Sequence, residues 1–317
     1  MRVLVTGAAG FIGSNLCEAL LGAGNEVVGV DSFVPNYPEP QKRANLASLA
    51  VYETFTFIEA AVEGMESSDY PSGIDAVCHL AGLPGVRTSW EPQQFSSYVE
   101  ANVAGTQAVL RHALESDVAK FVYASSSSVY GGATSSQSLS ETQLPRPTSP
   151  YAVTKLSGEH LCSLYGSELG LDTLSLRFFT VFGPGQRPDM AMHRMINSAV
   201  TGQPFTVFGD GKQERDFTFV GDIVRAIVLS LSSDVPKGTV LNVGGGTPVG
   251  LLDVVQHLEG ILNRPVPLQF VDRGPGDPTV TRADITQVHE ALGWRPQTSL
   301  IEGLSQQVQW QVGQVFQ

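Results

Sequence analysis

The residues with the clearest chemistry are Tyr151-Ala-Val-Thr-Lys155, a tyrosine followed four residues later by a lysine. In a helix this spacing places both side chains on one face. An unperturbed tyrosine titrates near ~10, and an ammonium group within a few ångströms favours the phenolate. The pair therefore predicts a phenol that acts as a base near neutral pH. The alternative is a Tyr–Lys pair on an exposed helix, which is common in proteins and carries no chemistry.

Four consecutive serines, residues 125–128, lie 23 to 26 residues before Tyr151. They follow an apolar run, Phe121 to Ala124, that predicts a strand. Their hydroxyls either cap backbone groups at the strand end or take part in chemistry with the tyrosine. Pro150 suits the first position of a helix, which we expect to run to about Leu169.

A glycine motif, Gly7-Ala-Ala-Gly10-Phe-Ile-Gly13, follows the predicted strand Arg2 to Thr6 and precedes a helical pattern. Strand, glycine turn and helix form the arrangement that binds a pyrophosphate at a helix N-terminus. A second predicted strand ends at Asp31, 18 residues after Gly13. A carboxylate there accepts hydrogen bonds from a ribose 2′-hydroxyl and repels a 2′-phosphate, which favours NAD over NADP.

Composition excludes several classes of partner. The formal charge is −12, the pI is about 4.9 and the mean hydropathy is +0.03. Such an acidic chain is not expected to bind nucleic acid, and no run of 18 apolar residues predicts a membrane span. The three cysteines have no metal-like spacing, so we expect no metal site and reduced thiols in a cytoplasmic protein.

Arg87, in a predicted loop at a strand's carboxyl end, either meets an anionic ligand or is a surface arginine.

The alternation of strands and helices predicts an α/β fold: a Rossmann-type doubly wound parallel sheet with a smaller α/β substrate-binding lobe. From Phe178 onward the periodicity is irregular and the loops are longer. We assign residues 1–177 plus about 217–245 to the NAD-binding domain. Residues 178–216 plus about 246–317 form the smaller, substrate-binding lobe, so the two are interleaved.

The glycine motif, Asp31, the serines and Tyr151/Lys155 together resemble the extended short-chain dehydrogenase/reductase family. The stretches Leu176-Arg-Phe-Phe-Thr-Val-Phe-Gly-Pro and Arg215-Asp-Phe-Thr-Phe-Val-Gly-Asp222 extend the similarity towards nucleotide-sugar epimerases. The resemblance implies a homodimer and a UDP-sugar whose C4 is inverted through a 4-keto intermediate with NAD. It implies Tyr151 as base, Lys155 as the group that lowers the pKa of Tyr151, and Ser126 as hydrogen-bond partner of the reacting oxygen.

The same resemblance implies two sets of binding residues. The cofactor would contact Gly7, Gly10, Phe11, Ile12, Gly13, Asp31, Arg43, Val62, Leu80, Ala81, Gly82, Asn102, Tyr151 and Lys155. The UDP-sugar would contact Arg87, Ser127, Ser128, Thr180, Arg187, Met190, Arg215, Arg273 and Asp277, with Arg215 as the diphosphate ligand.

Two positions narrow the implied substrate. Related 4,6-dehydratases and decarboxylases carry an acidic residue just before Val-Tyr-Gly, where this chain has Ser128. UDP-glucose 4-epimerases usually have Asn where this chain has Thr180. Thr180 with Arg187-Pro-Asp-Met190 is more similar to UDP-glucuronate 4-epimerases, in which such residues meet the C6 carboxylate.

Three hypotheses remain open at this point. The first is the conversion of UDP-glucuronate to UDP-galacturonate. The second is a UDP-glucose or UDP-N-acetylglucosamine 4-epimerase, which would not require a carboxylate in its pocket. The third is a non-catalytic NAD-binding regulator on the same fold, which would need the glycine motif but not the Tyr/Lys/Ser set.

Overall fold

The computed structural model describes residues 1–131, 138–272 and 279–315. Its largest element is a seven-stranded sheet in which all neighbouring strands are parallel, in the order β10-β6-β5-β4-β1-β2-β3. These strands span Arg2–Thr6 (β1), Glu26–Asp31 (β2), Phe55–Glu59 (β3), Ala76–His79 (β4), Lys120–Ser126 (β5), Thr173–Phe178 (β6) and Thr239–Val243 (β10).

Helices cover both faces of this sheet. One apolar cluster contains Leu16 and Ile223 from helices α1 and α7, and a second contains Leu110 and Cys162 from α4 and α5. The predicted doubly wound α/β fold is therefore confirmed. The helices span Phe11–Gly22 (α1), Glu39–Ala47 (α2), Phe95–Val99 (α3), Gly105–Glu115 (α4), Pro150–Leu169 (α5), Ala191–Thr201 (α6), Val220–Ser230 (α7), Leu251–Leu262 (α8), Thr286–Leu292 (α9) and Leu300–Val315 (α10).

Two small sheets lie beside the carboxyl ends of the large one. The first has the order β11-β9-β7 and the second pairs β12 with β8. The apolar runs of β8 and β12 are typical of strands, whereas the three-residue strands β7 and β11 and the charged strand β9 give no apolar alternation from which a strand could be predicted. The strands span Thr180–Phe182 (β7), Phe205–Phe208 (β8), Glu214–Phe219 (β9), Pro248–Gly250 (β11) and Leu268–Val271 (β12).

The helical region between residues 95 and 115 is interrupted by a wider turn. A π-helical segment, Glu100–Ala104, joins α3 to α4, and Asn102 lies within it. Such segments frequently occur at functional sites. Within the described ranges, no helix is long and apolar enough to span a membrane.

Candidate active site

A cavity of about 480 Å³ opens where β1, β2, β4 and β5 end. Parallel strands present their carboxyl ends, and the loops that follow them, at the same edge of the sheet. The cavity therefore collects residues that are far apart in the chain. Its lining extends from the glycine motif to Arg215.

The glycine motif forms a tight turn against the end of β4. Gly7 has a φ of +74° and donates to the carbonyl of Val30 at 2.7 Å. A Cβ atom at Gly7 would lie 2.8 Å from the Ala81 nitrogen, and one at Gly13 would lie 2.0 Å from the Gly7 carbonyl oxygen. The N-terminus of α1 has no side-chain cap, so its first N–H groups are available to an anion. Together these features suit a dinucleotide pyrophosphate.

Most of the predicted cofactor residues line this cavity. They are Gly7, Gly10, Phe11, Ile12, Gly13, Asp31, Val62, Leu80, Ala81, Gly82, Tyr151 and Lys155. Asp31 accepts backbone hydrogen bonds from Ala9 at 3.1 Å and from Phe33 at 2.9 Å. These bonds hold its carboxylate at the end of β2.

Lys42, which sequence reasoning missed, lies beside Asp31. Its Nζ atom is 3.9 Å from Asp31 Oδ1 and donates to the Val34 carbonyl at 2.8 Å. Lys42 is buried, lines the cavity, and has a lowered pKa chiefly because of that burial. The available signal was weak: a lysine on a short helix eleven residues after Asp31.

The structure does not bring Arg43 to the cavity. One residue further along α2 turns its side chain by about 100°, and there it pairs with Glu39 at 2.6 Å and Glu59 at 3.7 Å. Its guanidinium lies 4.4 Å from the ring centre of Phe33. The cation beside Asp31 is therefore Lys42, whereas Arg43, predicted as a cofactor contact, does not line the cavity.

Asn102 is buried and connects two elements without lining the cavity. Its Oδ1 atom accepts from the Leu83 nitrogen at 2.7 Å. Its Nδ2 group donates to the Leu83 carbonyl at 3.0 Å and to Thr154 Oγ1 at 2.9 Å. Asn102 thus fixes the loop after β4 against α5, the helix that carries Tyr151 and Lys155, and its predicted contact with the cofactor stays a prediction.

Tyr151 and Lys155 occupy the first turns of α5. Ser149 caps this helix by accepting from the Ala152 nitrogen at 3.1 Å, and Pro150 is the first helical residue, as predicted. Both side chains line the cavity with Ser126, which ends β5. Ser126 Oγ accepts from Ser128 Oγ at 2.9 Å and forms a hydrogen bond with Tyr151. Because Ser126 Oγ accepts from Ser128, its own proton can be donated to an oxygen atom in the cavity.

Burial dominates the titration of both groups in this structure. It raises the pKa of Tyr151, while the hydrogen bond from Ser126 and the charge of Arg187 act in the opposite direction. Burial also lowers the pKa of Lys155 to about 8, and its Nζ atom lies 4.4 Å from the ring centre of Tyr123. The direction for Tyr151 is opposite to that expected from Lys155, because desolvation of the phenolate outweighs nearby positive charge.

The opposite end of the cavity carries hydroxyls and arginines. Of the predicted substrate residues, those that line it are Arg87, Ser127, Ser128, Thr180, Arg187, Met190 and Arg215. Arg87 lies 3.8 Å from the ring centre of Phe208, and Arg215 Nη1 donates to the Glu214 carbonyl at 2.9 Å. The predicted contacts of Arg273 and Asp277 lie outside the described residues.

Arg187 is the arginine of the cavity whose contacts show two-point binding of a carboxylate. Its Nε and Nη2 atoms donate to the two carboxylate oxygens of Asp189 at 2.9 and 2.8 Å. Asp189 was not singled out from the sequence. Among residues that the structure describes, no group of His, Cys, Asp or Glu side chains has the arrangement of a metal site.

Comparison with known proteins agrees with this arrangement. An uncharacterized UDP-glucose epimerase of Bacillus subtilis, YtcB, is 42% identical over 97% of both chains. A UDP-glucuronate 4-epimerase of Thermodesulfobacterium geofontis is 37% identical and covers 97% of this chain and 95% of its own. The structure of a UDP-glucuronic acid 4-epimerase from Bacillus cereus, in complex with UDP-glucuronic acid and NAD, has a TM-score of 0.95 and 42% identity, covering 99% of this chain and 100% of that one. The NAD dependent epimerase/dehydratase family matches residues 3–244, and the chain belongs to this family.

Proposed function

We propose that this chain is an NAD-dependent 4-epimerase that converts UDP-glucuronate to UDP-galacturonate. The observation that carries the proposal is that Arg187 and the hydroxyls of Ser127, Ser128 and Thr180 line the same cavity as Tyr151 and Ser126. A sugar whose C4 lies at Tyr151 would have a carboxylate-binding group within the same pocket. Arginine and hydroxyl donors suit a carboxylate better than a neutral hydroxymethyl group.

The cofactor would be held by the turn at Gly7, Gly10 and Gly13, with Asp31 accepting from its adenosine ribose and Lys155 donating to its nicotinamide ribose. The close approach of backbone at these glycines and the uncapped start of α1 fit a dinucleotide. When bound, NAD supplies a hydride acceptor and donor for the sugar C4 and is regenerated in each turnover.

The side chains would then transfer one proton, from the sugar 4-hydroxyl and back to it. Tyr151, as the phenolate, takes the proton of the sugar 4-hydroxyl, and Ser126 donates a hydrogen bond to the reacting oxygen. The resulting 4-keto sugar turns over in the cavity and presents its other face. Tyr151 returns the proton to the oxygen, so that the net reaction inverts C4 without gain or loss of atoms.

Binding of the C6 carboxylate would also protect the intermediate from decarboxylation. A 4-keto uronate is a β-keto acid, which loses CO₂ when the C5–C6 bond breaks and its electron pair enters the carbonyl system. Arg187, Thr180, Ser127 and Ser128 would hold the carboxylate in an orientation that resists this step. Ser128 also stands where related dehydratases and decarboxylases carry an acid, which disfavours those reactions.

The alternative epimerase is one that acts on UDP-glucose or UDP-N-acetylglucosamine, and the B. subtilis relative is described as a UDP-glucose epimerase. Arg187 in the pocket argues against this alternative, because a neutral sugar offers it no carboxylate. A non-catalytic NAD-binding regulator is weaker still, because Ser126, Tyr151 and Lys155 all reach the cavity.

A proton NMR time course with UDP-glucuronate and with UDP-glucose tests the proposal. We expect UDP-galacturonate signals and no pentose product from the first, and little conversion of the second. Turnover of UDP-glucose alone would replace the proposal with a neutral-sugar epimerase. Full activity of Arg187→Ala on UDP-glucuronate would remove Arg187 from its role.

We also propose that the protein is a cytoplasmic homodimer. Support for the dimer comes from exposed apolar side chains on the neighbouring helices α3 and α5, namely Phe95, Val99, Val153 and Leu164. The three buried free thiols are compatible with a reducing compartment, which fractionation of expressing cells would test.

For the domains we propose the interleaved division at residues 177, 217 and 245, which limited proteolysis with and without NAD would test.

A further inference from the structure

The loop between β7 and α6 carries a local ion pair at the edge of the cavity. Asp189 binds one edge of the Arg187 guanidinium, formed by Nε and Nη2, at 2.9 and 2.8 Å. An arginine has a second edge, formed by Nη1 and Nη2, with its own pair of donors. Nη1 donates no hydrogen bond to any residue that the structure describes. The second edge of Arg187 is therefore available to a carboxylate in the cavity.

The backbone of this loop is held independently of Asp189. The buried side chain of Gln307 on α10 accepts from the Gly183 nitrogen at 2.9 Å and donates to Gln186 Oε1 at 2.6 Å. Gln186, also buried, donates to the Val181 carbonyl at 3.1 Å. These bonds fix the loop on the side of α10. What Asp189 adds is the orientation of the guanidinium itself.

The exposure of the pair indicates which effect of Asp189 dominates. The Arg187 side chain is 18% exposed, whereas that of Asp189 is 52% exposed. Solvent screens the charge of such a carboxylate at the distance of a ligand on the far edge of the arginine. The direct two-point contact fixes the guanidinium plane, which otherwise rotates on a flexible side chain. Orientation therefore outweighs charge neutralisation.

We propose that Asp189 is a positioning residue that sets substrate specificity, by aligning the free edge of Arg187 with the C6 carboxylate of a UDP-hexuronate. This inference rests on the proposed function. Asp189 itself would not contact the sugar. It would also not need to leave Arg187 when substrate binds, because the two carboxylates use different edges of one guanidinium.

The test measures dissociation constants by calorimetry in the NAD-loaded Tyr151→Phe variant, in which binding is read without turnover. Adding Asp189→Ala is expected to weaken UDP-glucuronate binding by about tenfold, as for loss of one charge-assisted contact. The dissociation constant of UDP-glucose should change by less than about twofold. Retained binding of UDP-glucose also shows that the pocket of the variant is folded. Asp234→Ala, which removes an exposed acid that does not line the cavity, is the matched control and should change neither constant.

A second readout uses the enzyme with Tyr151 intact. Asp189→Ala should release a pentose product from UDP-glucuronate, because a loosely held carboxylate no longer resists loss of CO₂. Equal effects on both sugars, or tighter binding of UDP-glucuronate, would overturn the inference and leave UDP-glucuronate turnover by the parent enzyme intact. Failure of the proposed function would differ, since the parent enzyme itself would neither prefer nor epimerise UDP-glucuronate.

Discussion

Lys155 is buried at the base of the cavity lining, with its ammonium group over the ring of Tyr123. Burial lowers its pKa from 10.5 to about 8, which means that the folded state bears the cost of desolvating a charge. Each pKa unit is about 1.4 kcal/mol, so this shift amounts to roughly 3 kcal/mol at pH 7. The buried ammonium group of Lys155 therefore lowers stability, and we attribute its presence to the chemistry of the site.

We therefore predict that Lys155→Met abolishes turnover and raises the free energy of unfolding at pH 7 by about 2 kcal/mol. Because the folded pKa is the lower one, the unfolded chain binds the extra proton between pH 8 and 10.5. Wild-type stability should rise with pH across this window, and the advantage of the variant should disappear. Urea unfolding of the cofactor-free protein at pH 7 and pH 9.5 measures both effects.

The exposed Lys212 supplies the control for that experiment. Lys212→Met should show neither the gain at pH 7 nor the change with pH. A Lys155→Met variant that is less stable than wild type at pH 7 would contradict the account of Lys155 as a buried charge.

Asp31 and Lys42 together lead to a prediction on cofactor choice. Asp31→Asn should reduce the preference for NAD over NADP by about tenfold, because it removes the repulsion of a 2′-phosphate and leaves the Lys42 cation in place. Adding Lys42→Met should remove the gain in NADP binding. Titration of both cofactors against the two variants measures this. An unchanged preference in Asp31→Asn would show that another group selects the cofactor.

At the scale of elements, the junction of β1 and α1 depends on close backbone contact. A Cβ atom at Gly13 would meet the Gly7 carbonyl oxygen at 2.0 Å, whereas one at Gly22, on the same helix, would meet nothing within 4 Å. We predict that Gly13→Ala lowers the free energy of unfolding by about 2 kcal/mol or more and prevents NAD binding. Gly22→Ala should be neutral or stabilise by up to ~1 kcal/mol.

Thermal unfolding with and without NAD compares the two variants. Because both replace a glycine of α1 with alanine, helix propensity favours both changes equally. A Gly13→Ala variant that still gains stability from NAD would contradict the proposed pyrophosphate site.

At the scale of the whole molecule, the outer faces of α3 and α5 lead to a prediction on assembly. Leu164 is 51% exposed, and lies on the same face of α5 as Val153. We predict that Leu164→Glu converts the proposed dimer to a monomer, because a charge in an apolar interface is not compensated. Light scattering after gel filtration measures the mass. Leu144→Glu, at a more exposed leucine elsewhere, should leave the mass unchanged.

The sequence by itself determined the doubly wound fold, because continuous apolar runs that alternate with helical patterns are typical of buried parallel strands and the helices that cover them. It also determined which chemical groups reach the cavity from strand ends and from α5, since strand ends of a parallel sheet converge on one edge. Gly7, Asp31, the serines at 125–128 and Tyr151 were located in this way, and the family resemblance then singled out Ser126.

Only the tertiary structure decided matters of helical phase and long-range contact. It placed Lys42 rather than Arg43 beside Asp31, because one residue along α2 rotates a side chain to another face. It showed burial raising the pKa of Tyr151, since desolvation depends on atoms from many segments. It paired Asp189 with Arg187, held the loop through Gln307 on α10, and formed the short strands β7, β9 and β11, none of which leaves a local pattern in the chain.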